Sequence, residues 1–127
     1  MTKSFDQQRC SIPPSDRARL QHMLEAARKI ARFTSEHTSA NELLANEADF
    51  WSVVHMLEII GEAAAHVSIG TRAMLPLPWL ESVASRNRLV HGYFDINEIV
   101  IWRTATEDIP LLAHTLETFF DREATGE

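Results

Sequence analysis

The chain has 127 residues, enough for one ordinary domain with a sizeable core, and hydrophobic residues make up 45% of it. Its single cysteine, Cys10, excludes an internal disulfide, and no run of about 20 apolar residues is present. We therefore expect a cytoplasmic protein that does not enter a membrane. The net charge of −6 excludes a broad, non-specific nucleic-acid binder, because such binding needs many cations facing phosphates. The cations are mostly arginines, which allows a local basic cleft on an acidic body.

The first third of the chain predicts a tail and then a long amphipathic helix. Residues 1–14 carry no periodic pattern, so we assign them to a tail and residues 15–124 to one helical domain. Ser15 is suited to cap a first helix that ends near Ser35. The core-facing positions follow at helical spacing, with charged residues opposite: Leu20, Met23, Leu24, Ala27, Ile30, Ala31 and Thr34.

Two capping signals predict the next helices. Ser39 and Glu42 form a capping box that starts a short turn, and Asn46 with Asp49 begins a longer helix, which Gly70 ends. One face of the longer helix is apolar, and Trp51 and Val54 widen it: Phe50, Val53, Leu57, Ile60, Ala64 and Val67.

The second half of the chain predicts two more helices. Pro78 suits the first turn of a third helix over residues 78–90. Residues 95–98 resemble another capping box, and Pro110 is expected to kink the last helix or to split it at Asp108. No segment alternates between apolar and polar residues as a half-buried strand does. The predicted fold is therefore all-α, an up-and-down bundle of four to five helices.

The groups suited to catalysis concentrate at the end of the third predicted helix. Cutting RNA without a metal requires a base for the 2′-hydroxyl proton, an acid for the leaving oxygen and a cation for the charged intermediate. Histidine titrates near neutrality and can act as base or acid, and the arginine fork matches phosphate oxygens. Arg86 and His91 are therefore the candidate catalytic pair, and Tyr93 lies beside them in the helix break.

The spacing of this pair is weak evidence on its own. The same interval separates Arg17 from His22 and Arg32 from His37, and neither of those pairs is followed by a tyrosine. Structural interpretations of the segment also exist. A histidine at a helix C-terminus is favoured by the helix dipole, and a tyrosine commonly packs its ring on the core with its hydroxyl at the surface.

The surrounding sequence resembles a known family. Arg86-x4-His91-x-Tyr93 matches the Arg-x4-6-His-x-Tyr motif of the HepT-like toxins in the HEPN superfamily. Further segments look like that family, in its order, over about residues 15–120: LEIIGEAA at 57–64, LPW at 77–79, RNRLVHGYF at 86–94 and IVIW at 99–102.

The resemblance implies a HEPN bundle that forms a homodimer, with the two motifs facing each other across a cleft. It implies a metal-independent endoribonuclease that acts on tRNA or mRNA without a cofactor. Arg86 and His91 correspond to the catalytic pair, with Asn87 and Arg88 in supporting, substrate-binding positions. It also implies a type VII-like toxin–antitoxin system, in which a minimal nucleotidyltransferase antitoxin transfers AMP to Tyr93. The bulky negative adduct would repel phosphate from the cleft.

The remaining candidates are paired carboxylates and isolated rings. Glu58 and Glu62 lie one turn apart, but no histidine-rich partner accompanies them, so we expect no metal site. Glu62 is instead expected to orient Arg86 or to face the dimer seam. The other rings are interpreted as core or boundary residues: His55, His66, His114, Trp51, Trp79 and Trp102.

A non-catalytic alternative remains open at this point. The same dimer can act as a binding module for RNA or protein, with Arg86 and Arg88 as phosphate contacts. It predicts that the protein binds without cutting, and that this salt-sensitive binding persists when His91 is replaced by alanine.

Overall fold

The computed structural model describes residues 12–77, 79 and 97–126. No strand occurs among these residues, so the all-α class is confirmed. Nearly all of the third predicted helix lies outside the described residues. The helices of the described part are α1 (Pro14–Ser35), α2 (Ala40–Ala45), α3 (Glu47–His66), α4 (Ile69–Met74), α5 (Glu98–Arg103) and α6 (Ile109–Thr125), and a π-helical turn over Thr104–Asp108 joins α5 to α6.

Helix α1 runs antiparallel to α3. Asp16, at the start of α1, accepts hydrogen bonds from Ser68, just past the end of α3. At the opposite end, His37 Nε2 donates to Asp49 Oδ2 at 2.8 Å, which joins the exit of α1 to the start of α3. Both contacts pair the beginning of one helix with the end of the other, as the predicted up-and-down topology requires.

Helix α1 is also antiparallel to α6. Arg17, near the start of α1, forms an ion pair with Glu123, near the end of α6. Arg28 lies further along α1, and its Nη2 is 3.2 Å from Oε2 of Glu117, which comes earlier in α6 than Glu123. The two helices therefore run in opposite directions. Helix α1 thus contacts both other long helical segments, and the core lies where the three meet.

The apolar faces predicted for α1 and α3 are buried in the core, with two exceptions. Ala31 and Trp51 belong to these predicted faces but are exposed, Trp51 to 50%. The indole of Trp51 instead lies edge-on to Phe50, with ring centroids 5.2 Å apart. The largest fully buried apolar side chains are Leu20, Met23, Ile30, Leu43, Val53 and Leu116, each of which contributes roughly 1.5–3 kcal/mol through burial.

The start of α1 differs from the prediction. Ser15 lies inside the first turn and does not cap it, because the helix begins at Pro14 and Pro13 occupies the N-cap position. A proline in the first turn lacks an N–H that would have no partner there, and its fixed φ suits the helix. Ile12, which belongs to the predicted tail, is buried in the core. The division of the chain at residue 15 stays a prediction.

The caps of the next two helices are confirmed. The Ser39 hydroxyl accepts a hydrogen bond from the Glu42 N–H at 3.2 Å, and the Asn46 side chain accepts one from the Asp49 N–H at 3.1 Å. The Glu42 carboxylate reaches back to the Thr38 N–H rather than to that of Ser39, one residue further than a capping box specifies. Its hydrogen bonds with Thr38 lower the pKa of Glu42.

Helix α3 ends earlier than predicted. It ends at His66, and Gly70, the expected terminator, lies inside the short helix α4. An arginine takes the place of the glycine: Arg72 donates from Nε to the Val67 carbonyl at 2.9 Å and from Nη2 to those of Ala64 and Ala65. Side chains with positive charge stabilise the last carbonyls of a helix in this way.

The last helix passes Pro110 without breaking. The irregularity is the π-helical turn over Thr104–Asp108, just before the proline, in which the Ile109 N–H donates to the Thr104 carbonyl. This turn ends at Asp108, the residue at which a kink or split is predicted. A π-turn inside a helix accommodates one extra residue. The start of α5 differs from the prediction. Asn97 caps this helix by accepting hydrogen bonds from the N–H groups of Ile99 and Val100.

Candidate functional site

The predicted catalytic segment lies outside the described residues. Arg86, Asn87, Arg88, His91 and Tyr93 all fall in the interval between Trp79 and the cap of α5. The structure therefore describes the residues that lead into the segment, the helices after it and the surface that contains Glu62. The roles of the five residues stay predictions.

The entry to this segment is anchored on the end of α3. The Trp79 ring is buried, and its Nε1 donates to the Arg72 carbonyl at 3.1 Å and to that of Leu75 at 3.3 Å. The Arg72 guanidinium lies 5.9 Å from the centroid of the same ring, a cation–π distance. Since Arg72 also caps α3, Trp79, the last described residue before the predicted catalytic segment, is anchored beside the α3 C-terminus.

A buried carboxylate fixes the same end of α3 to α1. Asp16 is 2% exposed and accepts from Ser68 Oγ at 2.5 Å, from Thr71 Oγ1 at 2.6 Å and from the Ser68 N–H at 3.2 Å. Burial raises the pKa of Asp16, but these hydrogen bonds, together with the charge of Arg19, outweigh it and hold that pKa below the ordinary value of 3.8. The carboxylate form is thus built into the fold.

An open groove of about 550 Å³ lies between α1 and α3, near this anchored end. Helix α3 contributes a polar stripe that repeats every three or four residues beside its apolar face, and α1 contributes two further polar side chains. The groove is lined by Arg19, His22, His55, Glu58, Ile59, Glu62, Ala63 and His66. Counting histidine as neutral, these residues carry one positive and two negative charges.

Glu62 is the predicted site residue that the structure describes. It lines the groove with Glu58, one turn before it, and its side chain is 57% exposed. His66 Nδ1 lies 2.9 Å from the Glu62 carbonyl oxygen and 3.6 Å from its Oε1. Because a carbonyl can only accept, the bond to it requires a proton on Nδ1 of His66.

The expectation that three helical histidines are core or boundary residues is wrong. His55, His66 and His114 are all exposed, and the first two line the groove. Among the tryptophans, Trp79 is buried and Trp102 packs against the core, as predicted, whereas Trp51 is half exposed. The sequence signal for the groove was the stripe of His55, Glu58, Glu62 and His66, which continues one helix face at spacings of three and four.

The two other Arg-x4-His pairs do not form catalytic constellations. Arg17 is bound to Glu123, whereas His22 lines the groove. His37 is engaged with Asp49, and Arg32 is exposed at the end of α1. Neither pair brings its guanidinium and imidazole into contact with each other, so neither forms a joint site.

Several arginines that the composition made available for a basic cleft have structural partners. Arg17 and Arg28 are paired with glutamates of α6, and Arg72 is occupied by helix carbonyls. In the groove, Arg19 lies 3.8 Å from Asp16 Oδ1 and is about one third exposed. Of these four, Arg19 is the one that lines an open surface.

The described residues hold no group of three His, Cys, Asp or Glu side chains placed to bind one metal ion. Within the same ranges, every helix is too short or too polar to cross a bilayer.

Comparison with known proteins places the chain in a family. The family model described as "Ribonuclease HepT-like" matches residues 23–119. The chain is 36% identical over 102 residues to "Putative RNase MJ1380" of Methanocaldococcus jannaschii, covering 80% of this chain and 93% of that protein. It is 34% identical over 99 residues to "Probable ribonuclease HepT" of Thermococcus cleftensis, covering 77% and 89%. No solved structure matches the chain.

An all-helical bundle with this sequence pattern defines a HEPN-type protein, and the match covers most of the chain. The chain therefore belongs to the HepT-like ribonuclease family. The resemblance found from the motif and its surrounding segments is confirmed.

Proposed function

We propose that this chain is the ribonuclease toxin of a type VII-like toxin–antitoxin pair, a cytoplasmic, metal-independent endoribonuclease that cuts tRNA or mRNA. The observation that carries the proposal is the family match over residues 23–119, which includes the complete motif Arg86-x4-His91-x-Tyr93. Two relatives named as ribonucleases align over most of their own length.

The proposed chemistry is a transesterification. An imidazole removes the 2′-hydroxyl proton, the 2′-oxygen attacks the phosphorus, and the bond to the 5′-oxygen breaks as that oxygen receives a proton. Arg86 stabilises the negative charge that develops on the phosphate. The reaction needs a base and an acid, and two His91 imidazoles, one from each protomer of a homodimer, supply both.

The supporting residues follow from this arrangement. Asn87 and Arg88 would contact the RNA backbone beside the cut, and Glu62, on the groove next to the anchored entry of the segment, would orient Arg86 or face the dimer seam. The anchor formed by Trp79 and Arg72 supports a common location, since it starts the catalytic segment beside the end of α3 that carries Glu62. Unchanged cleavage and dimerisation in Glu62→Gln would remove that residue from the site.

The central experiment compares His91→Ala with the wild-type protein on total RNA in the presence of EDTA. We expect the wild type to cleave and the variant to lose activity by roughly 10²–10⁴-fold, the usual contribution of a general acid–base group. His114→Ala, which removes an exposed histidine of α6, is the matched control and should cleave normally. Intact RNA with the unmodified wild-type dimer would reject the nuclease, and salt-sensitive RNA binding that survives in His91→Ala would instead favour the binding module.

Silencing by a partner is tested separately. Co-expression with a minimal nucleotidyltransferase antitoxin should add AMP to Tyr93, detected by mass spectrometry of the tyrosine peptide. Tyr93→Phe should then escape modification and stay toxic. An unmodified peptide from fully inhibited cells would show that the partner acts by occlusion.

A further inference from the structure

The groove between α1 and α3 contains three polar side chains, those of His22, His55 and Glu58, that have no partner among the described residues. In the described part of the chain, the partly buried Glu58 carboxylate has no hydrogen bond or ion pair, and neither has the imidazole of His22 or His55. Ile59 and Ala63, which are both partly buried, add apolar surface to the lining. This combination of apolar surface with a few polar groups is typical of small-ligand sites, and the volume lies within their usual range.

The mixed lining matches a ligand with several kinds of chemical group better than a ligand with a single charge. A bare anion would meet two carboxylates, Glu58 and Glu62, and a purely cationic ligand would meet the Arg19 guanidinium. A metal ion lacks a set of three ligands among the described residues. A ligand with N–H donors, a flat π surface and a negative charge can contact all of these groups at once. Its N–H groups would donate to a carboxylate, and its ring would pack against an imidazole and Ile59. Its phosphate would bind Arg19. Nucleotides combine these features.

Among the bases, guanine fits a carboxylate best. Its N1–H and N2–H groups are adjacent and parallel, so both can donate to the two oxygens of one carboxylate. Adenine and cytosine each place an acceptor next to their amino group. Uracil has a single N3–H between two carbonyl oxygens, which a carboxylate repels. A base-specific bidentate contact discriminates against a wrong base by about one to two orders of magnitude.

We propose that the α1/α3 groove is a guanine-nucleotide subsite, in which Glu58 binds the Watson–Crick edge and Arg19 binds the phosphate. In an RNA substrate, this guanosine would be one nucleotide of the bound strand, an extension that rests on the proposed ribonuclease function. The binding itself requires no cleavage, so it can be tested independently of that function.

The test is equilibrium titration of the purified full-length protein with GMP, AMP, CMP and UMP, followed by the NMR signals of the histidine rings. We expect GMP to shift the signals of His22 and His55 and to bind about 10-fold more tightly than UMP. Glu58→Gln should weaken GMP binding by about 10-fold and leave UMP binding unchanged. Glu36→Gln is the matched control, because this exposed glutamate lies 14 residues beyond His22, about 20 Å along the α1 axis.

Three results would overturn the proposal. The first is that GMP does not shift the NMR signals of His22 and His55. The second is equal affinity for all four nucleotides, and the third is a GMP titration of Glu58→Gln that is identical to that of Glu36→Gln. Circular dichroism of both variants establishes that they are folded. Arg19→Gln provides a second variant, which should weaken the binding of GMP more than the binding of guanosine. Cleavage by the wild type without a preference for guanosine would reject the subsite in the RNA strand while leaving the nuclease intact.

Discussion

Asp16 offers a direct measure of how strongly one buried carboxylate fixes α1 to the end of α3. Its side chain accepts three hydrogen bonds, two from Ser68 and one from Thr71, at distances between 2.5 and 3.2 Å. Asp16→Ala removes all three at once and leaves the donors in place. The loss therefore measures the whole contact.

We expect this substitution to lower the free energy of unfolding by about 3 kcal/mol. A hydrogen bond to a charged group contributes roughly 1.5–3 kcal/mol, and a buried donor left without an acceptor costs roughly 1–3 kcal/mol. Thr71 is 2% exposed and suffers that penalty, whereas Ser68 is exposed and regains water. The three bonds share one carboxylate and do not add in full. In a domain of this size the loss corresponds to a fall in Tm of about 10 °C.

The assay is urea unfolding followed by circular dichroism. Asp121→Ala, which truncates an exposed aspartate of α6, is the control and should change stability by less than about 0.5 kcal/mol. Thr71→Val should reproduce part of the loss, and its effect should shrink when Asp16 is already alanine. Equal midpoints for Asp16→Ala and Asp121→Ala would refute the reasoning that this carboxylate stabilises the fold.

Three further predictions concern pH and helix ends. Because the pKa of Asp16 lies below 3.8 in the folded protein, its stabilisation is present above that pH and is lost as the pH falls through the folded value; the stability difference between wild type and Asp16→Asn should shrink on acidification below pH 3.8, and a constant difference would contradict this. Arg72→Ala should cost about 2 kcal/mol in thermal unfolding, and Arg72→Lys should recover little of it, since an ammonium lacks the fork that reaches three carbonyls; full rescue by lysine would show that charge alone matters. Asn46→Ala should cost about 1 kcal/mol because it removes the α3 cap, whereas Asn41→Ala, inside α2 and exposed, should cost nothing; equal losses would argue against the cap.

The sequence predicted those features that depend on local periodicity and local hydrogen bonds. The faces of α1 and α3 and the caps at Ser39 and Asn46 are examples, since each involves residues within four positions of one another. The family was also accessible from the sequence, because the motif and its flanking segments are contiguous text.

The failures share a different cause, which is contact between residues distant in the chain. Gly70 is the terminator that local rules predict for α3, but the carbonyls of that helix are satisfied by Arg72, a partner that no local rule identifies. The groove combines residues of α1 with residues more than 30 positions later, so His22 and His55 gave no joint signal. Trp51 is predicted to be buried because an apolar ring near an apolar face usually is, yet the face is already complete without it.

The double role of Arg72 has a mechanical consequence. One guanidinium binds the last carbonyls of α3 and faces the indole that precedes the predicted catalytic segment, so we expect the two contacts to open together. Amide exchange at Val67 and at Trp79, which lie twelve positions apart, should therefore report a single opening event with one free energy. We therefore expect an opening of the α3 terminus to loosen the packing of Trp79, and an opening at Trp79 to loosen the α3 terminus.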